Sequence, residues 1–482
     1  MTRPDRSPIF IPERGGVEEL QRAEEGPAAA LTLYGIRRIL DGAIPPTLCT
    51  ASSEGVPHVN LLSHVEYVDE HHVALTYQFF NRSRDNVLAT RRACLMLEDP
   101  GSGANVVLQL RYLRTEAEGP LFERLRAKLA GIAAHTGMEH VFRLRGADIY
   151  EVLSIEAPPS GAPLSTLQAR CDLAAGARAV STRLAECEDL SLLPQVAMDG
   201  LRGDLAVHHA ILWLLDEPRQ SLYALASMGY AQAGIGAELP VAVAGLAGVA
   251  VREGVALRIG HMARMYRYGR TLHQVAREHG MVDEAAELTL IGLPGLPTPC
   301  SQLAVPLRAR GRTVGALLVE SENNQFFGYD DEDALALLCA QLAQALLALQ
   351  SAELEATVPP AEPQPPVPLD GPPLRLRYFA RDGTVFIDDQ YLIKGVAGAI
   401  LWKVASDAHS NGRASFTTRE LRLAGTSLGL PEVQDNLGVR LLLLQRRLAE
   451  WGGPLQIEKS RRGCYVLVLG RTLVLERIDS VA

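Results

Sequence analysis

Residues 300–350 read CSQLAVPLRARGRTVGALLVESENNQFFGYDDEDALALLCAQLAQALLALQ and combine two strand patterns with one helix pattern. Apolar residues alternate with other residues through 303–307, which is the period of a half-buried strand. Arg310-Gly311 predicts a tight turn, and the apolar run 314–319 predicts a second, more fully buried strand. Pro306 has no N–H to donate to a sheet ladder, so we expect the first strand at a sheet edge or at a bulge.

A helix pattern follows this hairpin. Acidic residues 330–333 favour a helix start, because negative charge is stabilising at a helix N-terminus. The leucines behind them share one helical face. They are Leu335, Leu338, Leu342, Leu346 and Leu349. Such a face predicts either ordinary core or the stem of a dimer, and the sequence leaves both interpretations open.

Three short segments of this stretch, together with the leucine-spaced helix, resemble the C-terminal half of a GAF domain. The segments are LAVPL from residue 303, GRTVGALLV from residue 311 and FGYDDED from residue 327. GAF domains are sensor or dimerisation modules. The resemblance therefore implies a domain over residues 164–355 that holds a small-molecule ligand, whose identity the sequence does not name.

Residues 260–299 are longer than the usual GAF loop and are interpreted as an insertion. They carry His261, His273 and His279, at spacings of 12 and 6 residues. Histidine ligands on one helix are three or four residues apart, so these spacings match no compact metal site. We predict a solvated or partner-facing insertion and no metal site.

Length and composition favour a multidomain protein without a membrane span. A chain of 482 residues suggests about three domains. The sequence shows no run of about 20 apolar residues and no signal-like N-terminus, which predicts a cytoplasmic protein. The seven cysteines are scattered singly, without a C-x-x-C pair, so the spacing supports neither a disulfide framework nor a zinc site.

The charge is unevenly distributed along the chain. Residues 374–482 hold 16 Lys and Arg against 11 Asp and Glu, a balance of +5. The net charge of the whole chain is −9, so the remaining residues carry −14. A basic segment on an acidic body hints at an anionic partner. The Pro-rich residues 356–373 have no means of packing a core and are predicted to be the linker before it.

After a predicted disordered arm, residues 1–29, residues 30–156 contain short strand patterns at the spacing of a β-barrel. Three words resemble the FMN-binding split barrel of the pyridoxamine-phosphate-oxidase-like family. They are TASSEGVPHVN at 50–60, YQFFNRSRDN at 77–86 and ACLML at 93–97. The resemblance implies FMN as a cofactor.

In that family a polar segment with Ser and Arg or Lys grips the flavin phosphate. Guanidinium groups and hydroxyls do match a phosphate dianion. The positions that the resemblance assigns to the flavin are Asn60, Tyr77, Phe79, Asn81, Arg82, Ser83 and Arg84. The Trp- and Arg-containing substrate segment of the oxidases is absent from the sequence, so vitamin B6 oxidation is not expected. A flavin-dependent enzyme, a flavin or haem sensor and an empty barrel remain open.

Residues 374–482 show strands, three helices and a terminal hairpin, an order that resembles the winged helix-turn-helix of OmpR/PhoB-type effector domains. The segments on which this resemblance rests are LLQRRL at 443–448 and IEKSRRGCYVL at 457–467. The resemblance implies DNA contacts from the third helix and the hairpin. The candidate residues are Asn436, Arg440, Arg447, Lys459, Arg461 and Arg462. Leu441 to Leu444 make the helix apolar all round, however, which leaves a protein-interaction role open as well.

The sequence thus predicts a multidomain α+β chain with an N-terminal split β-barrel, a central GAF α/β sandwich and a C-terminal winged helix-turn-helix. The favoured function is a cytoplasmic signalling regulator that senses a ligand or redox state and binds DNA as a homodimer. The alternatives are a flavin-dependent oxidoreductase controlled by the other domains, or a protein-interaction scaffold. No catalytic residue is assigned.

Overall fold

The computed structural model describes ten stretches of the chain and groups them into two compact units. The stretches are residues 31–41, 45–62, 64–77, 82–136, 144–157, 163–164, 170–262, 293–355, 371–424 and 437–479. The first unit comprises the described residues within 1–75, 81–114 and 149–164, and the second those within 76–80, 115–148 and 165–482.

A seven-stranded sheet forms the first unit. Its strands are β1 (Thr47–Ala51), β2 (Pro57–Leu61), β3 (Val65–Tyr67), β4 (His72–Tyr77), β5 (Arg92–Glu98), β6 (Asn105–Glu116) and β7 (Gly146–Glu156). They pair in the order β2-β1-β5-β6-β7-β4-β3. In β5, buried Ala93, Leu95 and Leu97 alternate with more exposed residues, so one face of the sheet is apolar. The sequence predicted short strands in this range, but it did not separate β2 from β3 and did not predict β7.

Two short helical elements close the core of the first unit. Helix α1 (Leu33–Ile36) begins after Thr32, whose hydroxyl accepts a hydrogen bond from the Gly35 amide at 3.1 Å. Leu33 and Ile36 are buried in the same cluster as the sheet leucines. Helix α2 (Arg82–Thr90) packs on β1 and β2. This packing fixes the first turn of α2 relative to the sheet.

Helix α3 (Pro120–Thr136) belongs to the second unit, although it lies in the sequence range predicted for the first domain. It packs on helix α6 (Gly245–Glu253), where Ala127 and Leu246 share one apolar cluster. The Arg126 guanidinium also donates to a carboxylate oxygen of Glu253 at 2.6 Å. The segment between β6 and β7 therefore contributes to the packing of the central segment.

The central segment is built on a six-stranded sheet. Its strands are β8 (His209–Asp216), β9 (Ser221–Met228), β10 (Glu238–Pro240), β11 (Leu257–Ile259), β12 (Ser301–Ala309) and β13 (Arg312–Ser321). They pair in the order β10-β9-β8-β13-β12-β11. Arg310 and Gly311, both in the left-handed region, form the turn between β12 and β13 that the sequence predicted.

Pro306 lies where its missing N–H is tolerated. Strand β11 pairs with β12 only over Gln302–Ala304, so Pro306 lies beyond that pairing. A register shift follows it between Leu307 and Arg308. This position has both features that the proline predicted, a locally unpaired side and an adjacent bulge.

Helices α4 (Leu173–Glu186), α5 (Leu193–Gly203) and α7 (Tyr329–Glu355) contribute to the main core of this unit. Leu335, Leu342 and Leu346 of α7 are at most 3% exposed in that core. The leucine face is therefore core, and its alternative interpretation as a dimer stem is wrong for this structure. Among the described helices, α7 alone is long and apolar enough to span a membrane, with a mean hydropathy of 1.6, but half of that window is buried inside the protein.

The C-terminal segment, residues 371–424 and 437–479 of the described chain, contains two small sheets and three helices in those residues. The strands are β14 (Leu374–Phe379), β15 (Thr384–Ile387), β16 (Gln390–Ile393), β17 (Ser415–Thr417), β18 (Leu455–Arg461), β19 (Cys464–Leu469) and β20 (Leu473–Ile478). The helices are α8 (Gly395–Asn411), α9 (Thr418–Leu423) and α10 (Leu437–Trp451). One sheet has the order β16-β15-β14-β20 and the other β17-β19-β18. Apolar residues of this segment and of the central segment form one continuous core.

Candidate functional site

Helix α10, the predicted DNA-recognition helix, is buried on both sides. Leu441, Leu442, Leu443 and Leu444 are each at most 3% exposed, although they point in different directions around the helix. The helix packs against α7 as well as against α8, β16 and β18. Contact with the central segment on one side and with its own segment on the other explains the apolar run.

A glycine permits the close approach of α10 to α7. A Cβ added at Gly438 would lie 3.0 Å from Leu190 Cδ2 and 3.3 Å from a carboxylate oxygen of Glu353. These distances are shorter than most side-chain contacts, so a larger residue would push the two elements apart. The close packing of α10 therefore depends on a glycine in its first turn.

The arginines of α10 contact the central segment. Arg440 lies 2.8 Å from the Asp216 carboxylate at the end of β8, and the two side chains are 12% and 4% exposed. Its guanidinium carbon is 5.4 Å from the Tyr223 ring centroid. Arg446 donates to the Leu225 carbonyl in β9 at 3.2 Å. These contacts hold the positively charged side of the helix on β8 and β9.

Arg447 and Glu450 complete the row of contacts. Arg447 donates to the Leu392 carbonyl at 2.9 Å and to a Glu450 carboxylate oxygen at 2.8 Å. The other Glu450 oxygen accepts a hydrogen bond from the Gly234 amide of the central segment at 3.1 Å. Arg440 and Arg447, two of the residues predicted to contact DNA, therefore have intramolecular partners in this structure.

A buried polar cluster surrounds Glu353, near the end of α7. Lys459 on β18 donates to Glu353 at 2.6 Å and to Asp189 at 2.8 Å. The Tyr465 hydroxyl donates to the other Glu353 oxygen at 2.8 Å. Thr418 Oγ1 donates to the Glu353 carbonyl at 2.9 Å. Glu353 is only 2% exposed. Its carboxylate joins β18 and β19 to the central segment, and its backbone carbonyl joins α9.

The pKa values in this cluster follow from its pairing. Burial works to lower the pKa of Lys459, but the hydrogen bonds to Asp189 and Glu353 outweigh it and raise that pKa. Burial, followed by the nearby Glu353 charge, raises the pKa of Tyr465. Burial would raise the pKa of Asp189, but the Lys459 and Ser191 hydrogen bonds hold it below its usual value. The cluster thus retains a charged lysine and a neutral tyrosine.

The tip of the β18–β19 hairpin is the exposed part of the predicted DNA surface. Arg461 and Arg462 are both exposed there. Asn436 lies outside the described residues. The five of these residues that the structure describes do not form one surface in this arrangement. Arg440 and Lys459 face the central segment, Arg447 is bonded within the C-terminal segment, and the hairpin arginines face solvent.

The residues predicted to hold a flavin phosphate open helix α2. Arg82 is exposed, Arg84 is half-buried and Ser83 is 2% exposed. The Ser83 hydroxyl has no hydrogen-bond partner among the described residues. A buried hydroxyl without a partner is costly, so a ligand oxygen at this helix N-terminus would satisfy it. The donor set therefore fits a phosphate monoester.

A buried hydrogen bond positions this helix start. Asn86 Nδ2 on α2 donates to Thr50 Oγ1 on β1 at 3.1 Å, and both residues are at most 6% exposed. Asn60, another predicted flavin residue, is half-buried on β2, next to β1. Tyr77 ends β4, while the Tyr77 side chain, Phe79 and Asn81 lie outside what the structure describes.

The second face of the central sheet carries a separate apolar cluster that includes residues of α6. Trp213 of β8 lies in this cluster with Ala224 and Ala316, and it is 3% exposed. The Trp213 indole N–H has no hydrogen-bond partner among the described residues. This N–H and the small side chains beside it are the features that a ligand on this face would meet.

Glu320, on β13 of the same sheet, is a buried carboxylate with three donors. Tyr230 Oη donates to it at 2.9 Å, Gln302 Nε2 at 2.5 Å and the Leu296 amide at 2.9 Å. Burial and the Glu320 charge raise the pKa of Tyr230 well above its ordinary value. The carboxylate is thus hydrogen-bonded by Tyr230, which stays neutral.

The predicted insertion leaves the sheet beside Glu320. The Met262 amide donates to the Cys300 carbonyl at 2.8 Å, which brings the two ends of the insertion together. His273 and His279 lie outside the described residues, so the structure does not test their role. Within the described stretches, no group of three or more His, Cys, Asp or Glu side chains could hold a metal.

Sequence reasoning missed three buried carboxylates on which the polar contacts of the second unit depend. Asp216, Glu353 and Glu320 have no motif around them that marks them. Glu353 offered one signal, because a carboxylate is unfavourable in the last turns of a helix unless something compensates it. The role of Asp216 becomes visible only when α10 packs on β8, and that of Glu320 only when strand pairing brings Gln302 beside it.

The central segment matches a known family model. The model for the GAF domain matches residues 189–347. The GAF domain of an Acinetobacter phosphoenolpyruvate-protein phosphotransferase is 21% identical and aligns over 39% of this chain and 97% of that chain, with a TM-score of 0.29. A free methionine-R-sulfoxide reductase from Neisseria meningitidis, solved with its substrate, is 19% identical over 39% and 98%, with a TM-score of 0.28.

The N-terminal segment has its own structural relatives. An FMN-binding protein from Syntrophomonas wolfei subsp. wolfei is 16% identical and aligns over 27% of this chain and 90% of that chain, with a TM-score of 0.22. No curated protein matches the chain. The family model agrees with the six-stranded sheet and its flanking helices, and residues 189–347 are therefore a GAF domain.

Proposed function

We propose that this protein is a cytoplasmic signalling regulator in which the GAF domain senses a small ligand and restrains a C-terminal winged helix that binds DNA. The observation that carries the proposal is the position of α10. The helix predicted to enter DNA is packed on the GAF domain, with Arg440 on Asp216 and Arg446 on a β9 carbonyl. A helix in this position is unable to enter a DNA groove, so the described arrangement is the restrained state.

The charge distribution supports a releasable contact. Arg440 and Lys459 pair with acidic groups of the central segment, and DNA phosphates would be alternative partners for the same cations. Arg461 and Arg462 are exposed in the restrained state and offer a first, sequence-independent contact. Release of α10 would then complete the DNA-binding surface, and a homodimer would present two such surfaces to two half-sites.

Strand β8 provides a direct connection between the ligand face and the restraint. It carries Trp213, with its unpartnered indole N–H, on one face of the sheet and Asp216, the partner of Arg440, at its end. A ligand that repositions this strand would alter the Arg440–Asp216 contact only three residues away. A ligand shifts the equilibrium only if it binds one of the two states more tightly.

The test compares DNA binding by the full chain with that of a variant whose restraint is weakened. Asp216→Asn with Glu353→Gln removes the carboxylate charges that hold Arg440 and Lys459. DNA is selected from a random duplex pool, and binding is followed by fluorescence anisotropy over a salt series. We expect the double variant to bind about 5- to 150-fold more tightly than the parent chain, the range of typical coupling energies.

Two further variants separate DNA binding from general charge effects. In the released background, Arg461→Ala with Arg462→Ala should weaken binding and lower the salt slope by about 2. Arg178→Ala with Arg202→Ala, two exposed arginines on α4 and α5, is the matched control and should leave both unchanged. No DNA binding by the released variant would refute the winged-helix proposal, and equal binding by parent and released chains would refute the restraint.

We also propose that the first unit binds FMN through the start of α2. The supporting observation is the buried Ser83 hydroxyl without a described partner, flanked by Arg82 and Arg84. Asn60 on β2 is the other described residue of the proposed site. Bound FMN would supply a redox-active isoalloxazine ring, and it would make the first unit a redox or flavin sensor.

Comparison of FMN with riboflavin tests the phosphate contact itself. Fluorescence titration should show tighter binding of FMN, and Ser83→Ala should weaken FMN about 10- to 100-fold, since a hydrogen bond to a charged group contributes about 1.5–3 kcal/mol. Riboflavin affinity should not change in this variant. Arg92→Ala, an exposed arginine on β5, is the control. A protein that binds FMN and riboflavin equally would contradict the assignment.

A further inference from the structure

Strand pairing in the first unit places two cysteines opposite each other. β1 and β5 run antiparallel, with Leu48 opposite Leu95 and Cys49 opposite Cys94. The two cysteines are 45 residues apart in the sequence, so no local motif marks them. Both are free thiols in this structure.

The two thiols lie on the same face of the sheet. Leu48 and Leu95, the neighbouring pair, are at most 5% exposed on the core face. Because successive side chains alternate between faces, Cys49 and Cys94 both point to the opposite face. Directly opposed residues in an antiparallel pair have Cα atoms about 4.5–5.5 Å apart. A disulfide requires Cα atoms about 4.4–6.8 Å apart, so the backbone need not move far to form one.

This face is accessible to small reagents. Both cysteines are half-buried rather than enclosed. Met96 and Val59, which alternate onto the same face beside them, are 42% and 59% exposed. Burial, and after it the neighbouring Cys49 thiol, raises the pKa of Cys94.

The remaining cysteines have different surroundings. Cys171, Cys187, Cys300, Cys339 and Cys464 all belong to the second unit. Cys339 is buried in the GAF core, where burial raises its pKa. None of the described strand registers places two of these five opposite each other. The strand register therefore singles out one pair.

We propose that Cys49 and Cys94 are a thiol redox site that forms a reversible disulfide within the chain when oxidised by a peroxide. Hydrogen peroxide oxidises one thiol to a sulfenic acid, its O–O bond breaks, and one water is released. The second sulfur attacks the first, an S–S bond forms, and the sulfenic oxygen leaves as a second water. The two thiols together lose two electrons, which reduce one peroxide molecule to two waters. An added dithiol reduces the disulfide again by thiol–disulfide exchange.

The cross-link would act next to a contact that positions α2. Thr50 follows Cys49 on β1, and its hydroxyl accepts the hydrogen bond from Asn86 of α2. A disulfide would tie β1 to β5 one residue from this contact. Oxidation would therefore make β1 more rigid at the point where α2 is anchored.

The test is thiol counting on the full-length protein. The chain is treated with hydrogen peroxide, unfolded, alkylated with N-ethylmaleimide and measured by intact mass and peptide mapping. We expect the loss of two alkylated thiols out of seven, one peptide pair joined through Cys49 and Cys94, and full recovery after dithiothreitol.

Single substitutions provide the controls. Cys49→Ser and Cys94→Ser should each abolish the paired loss, whereas Cys171→Ser, also half-buried, should retain it. The peptide map of the unsubstituted chain decides the question even if a variant fails to fold. The proposal is overturned if both cysteines remain alkylated, if either is oxidised irreversibly on its own, or if the bridge joins two chains or other cysteines.

Discussion

At the scale of single residues, Glu353 has the strongest constraints. A carboxylate near the C-terminal end of α7 meets an unfavourable helix dipole, and at 2% exposure it also loses its hydration. Lys459 and Tyr465 compensate both penalties with hydrogen bonds at 2.6 and 2.8 Å. These donors come from β18 and β19. The carboxylate therefore requires the C-terminal segment to be in place.

Replacement of this carboxylate should destabilise the second unit. In Glu353→Gln the amide keeps the volume but pairs poorly with the Lys459 ammonium, which keeps Asp189 as its other partner. We expect a loss of about 1–3 kcal/mol in the free energy of unfolding, measured by denaturant titration. Glu322→Gln, at an exposed glutamate, is the control and should stay within about 0.5 kcal/mol.

The pH dependence gives a second measure of the same cluster. Lys459 and Tyr465 have folded pKa values raised above their ordinary values of 10.5 and 10.0. Groups that hold their protons more tightly when folded stabilise the chain fully below about pH 10, and this stabilisation is lost as pH rises through the folded values. Glu353→Gln should reduce this alkaline loss. An unchanged alkaline profile would mean that Glu353 does not control these protons.

At the scale of elements, α10 shows how far a local pattern can be interpreted. The sequence predicted the helix and nearly its bounds, since residues 437–451 are apolar and basic at helical spacing. The sequence also showed the apolar run from Leu441 to Leu444, but it did not indicate which part of the protein covers the second side of this helix. That cover is the GAF domain, and its contacts with α10 cross more than 200 residues of sequence.

Local chemistry was predictable where neighbouring residues determine it. Thr417 caps α9 with a hydroxyl that accepts from the Glu420 amide, while Glu420 accepts from the Thr417 amide, and the two residues are only three positions apart. β16 and β20 were not predicted. β20 pairs in parallel with β14 nearly 100 residues away, and short strands with distant partners carry a weak local signal.

In the candidate sites too, some residues could be found from the sequence and others could not. The resemblances to a winged helix and to a split barrel pointed to the basic residues at 440, 447 and 459 and to Ser83, but not to the helix that begins at Arg82. Their partners Asp216 and Asp189, and the opposed pair Cys49 and Cys94, depend on tertiary packing or strand register. Register is not a local property, because the opposed cysteines of β1 and β5 lie 45 residues apart in the sequence.

At the scale of the whole molecule, the GAF domain and the C-terminal segment share one core. Leu338 of α7, Leu441 of α10 and Leu376 of β14 belong to the same buried cluster. Burial of apolar surface contributes about 25 cal/mol per Å², so a shared core couples the stability of its two sides. The two segments should therefore unfold as one cooperative body, whatever their separate ancestry.

The three tryptophans can test this coupling directly. Trp213 lies in β8 of the GAF domain, and Trp402 and Trp451 lie in α8 and α10 of the C-terminal segment. A chain that keeps only Trp213 and one that keeps only Trp451 report on the two sides separately. We expect their thermal unfolding curves, followed by tryptophan fluorescence, to have the same midpoint, because neither side keeps its core without the other.

Weakening the contact should lower this midpoint while the two curves stay together, because the apolar core remains shared. Asp216→Asn, introduced into both single-tryptophan chains, removes the charge partner of Arg440 while leaving the shared apolar core intact. Each kcal/mol of lost stability should lower the common midpoint by about 2 °C, the lower end of the range of about 2–4 °C for bodies of 150–250 residues. Glu322→Asn in the same chains is the control for charge loss at an exposed position. Separate midpoints already in the parent chains would show that the two segments fold independently, and the docked α10 would then be too weakly held to restrain DNA binding.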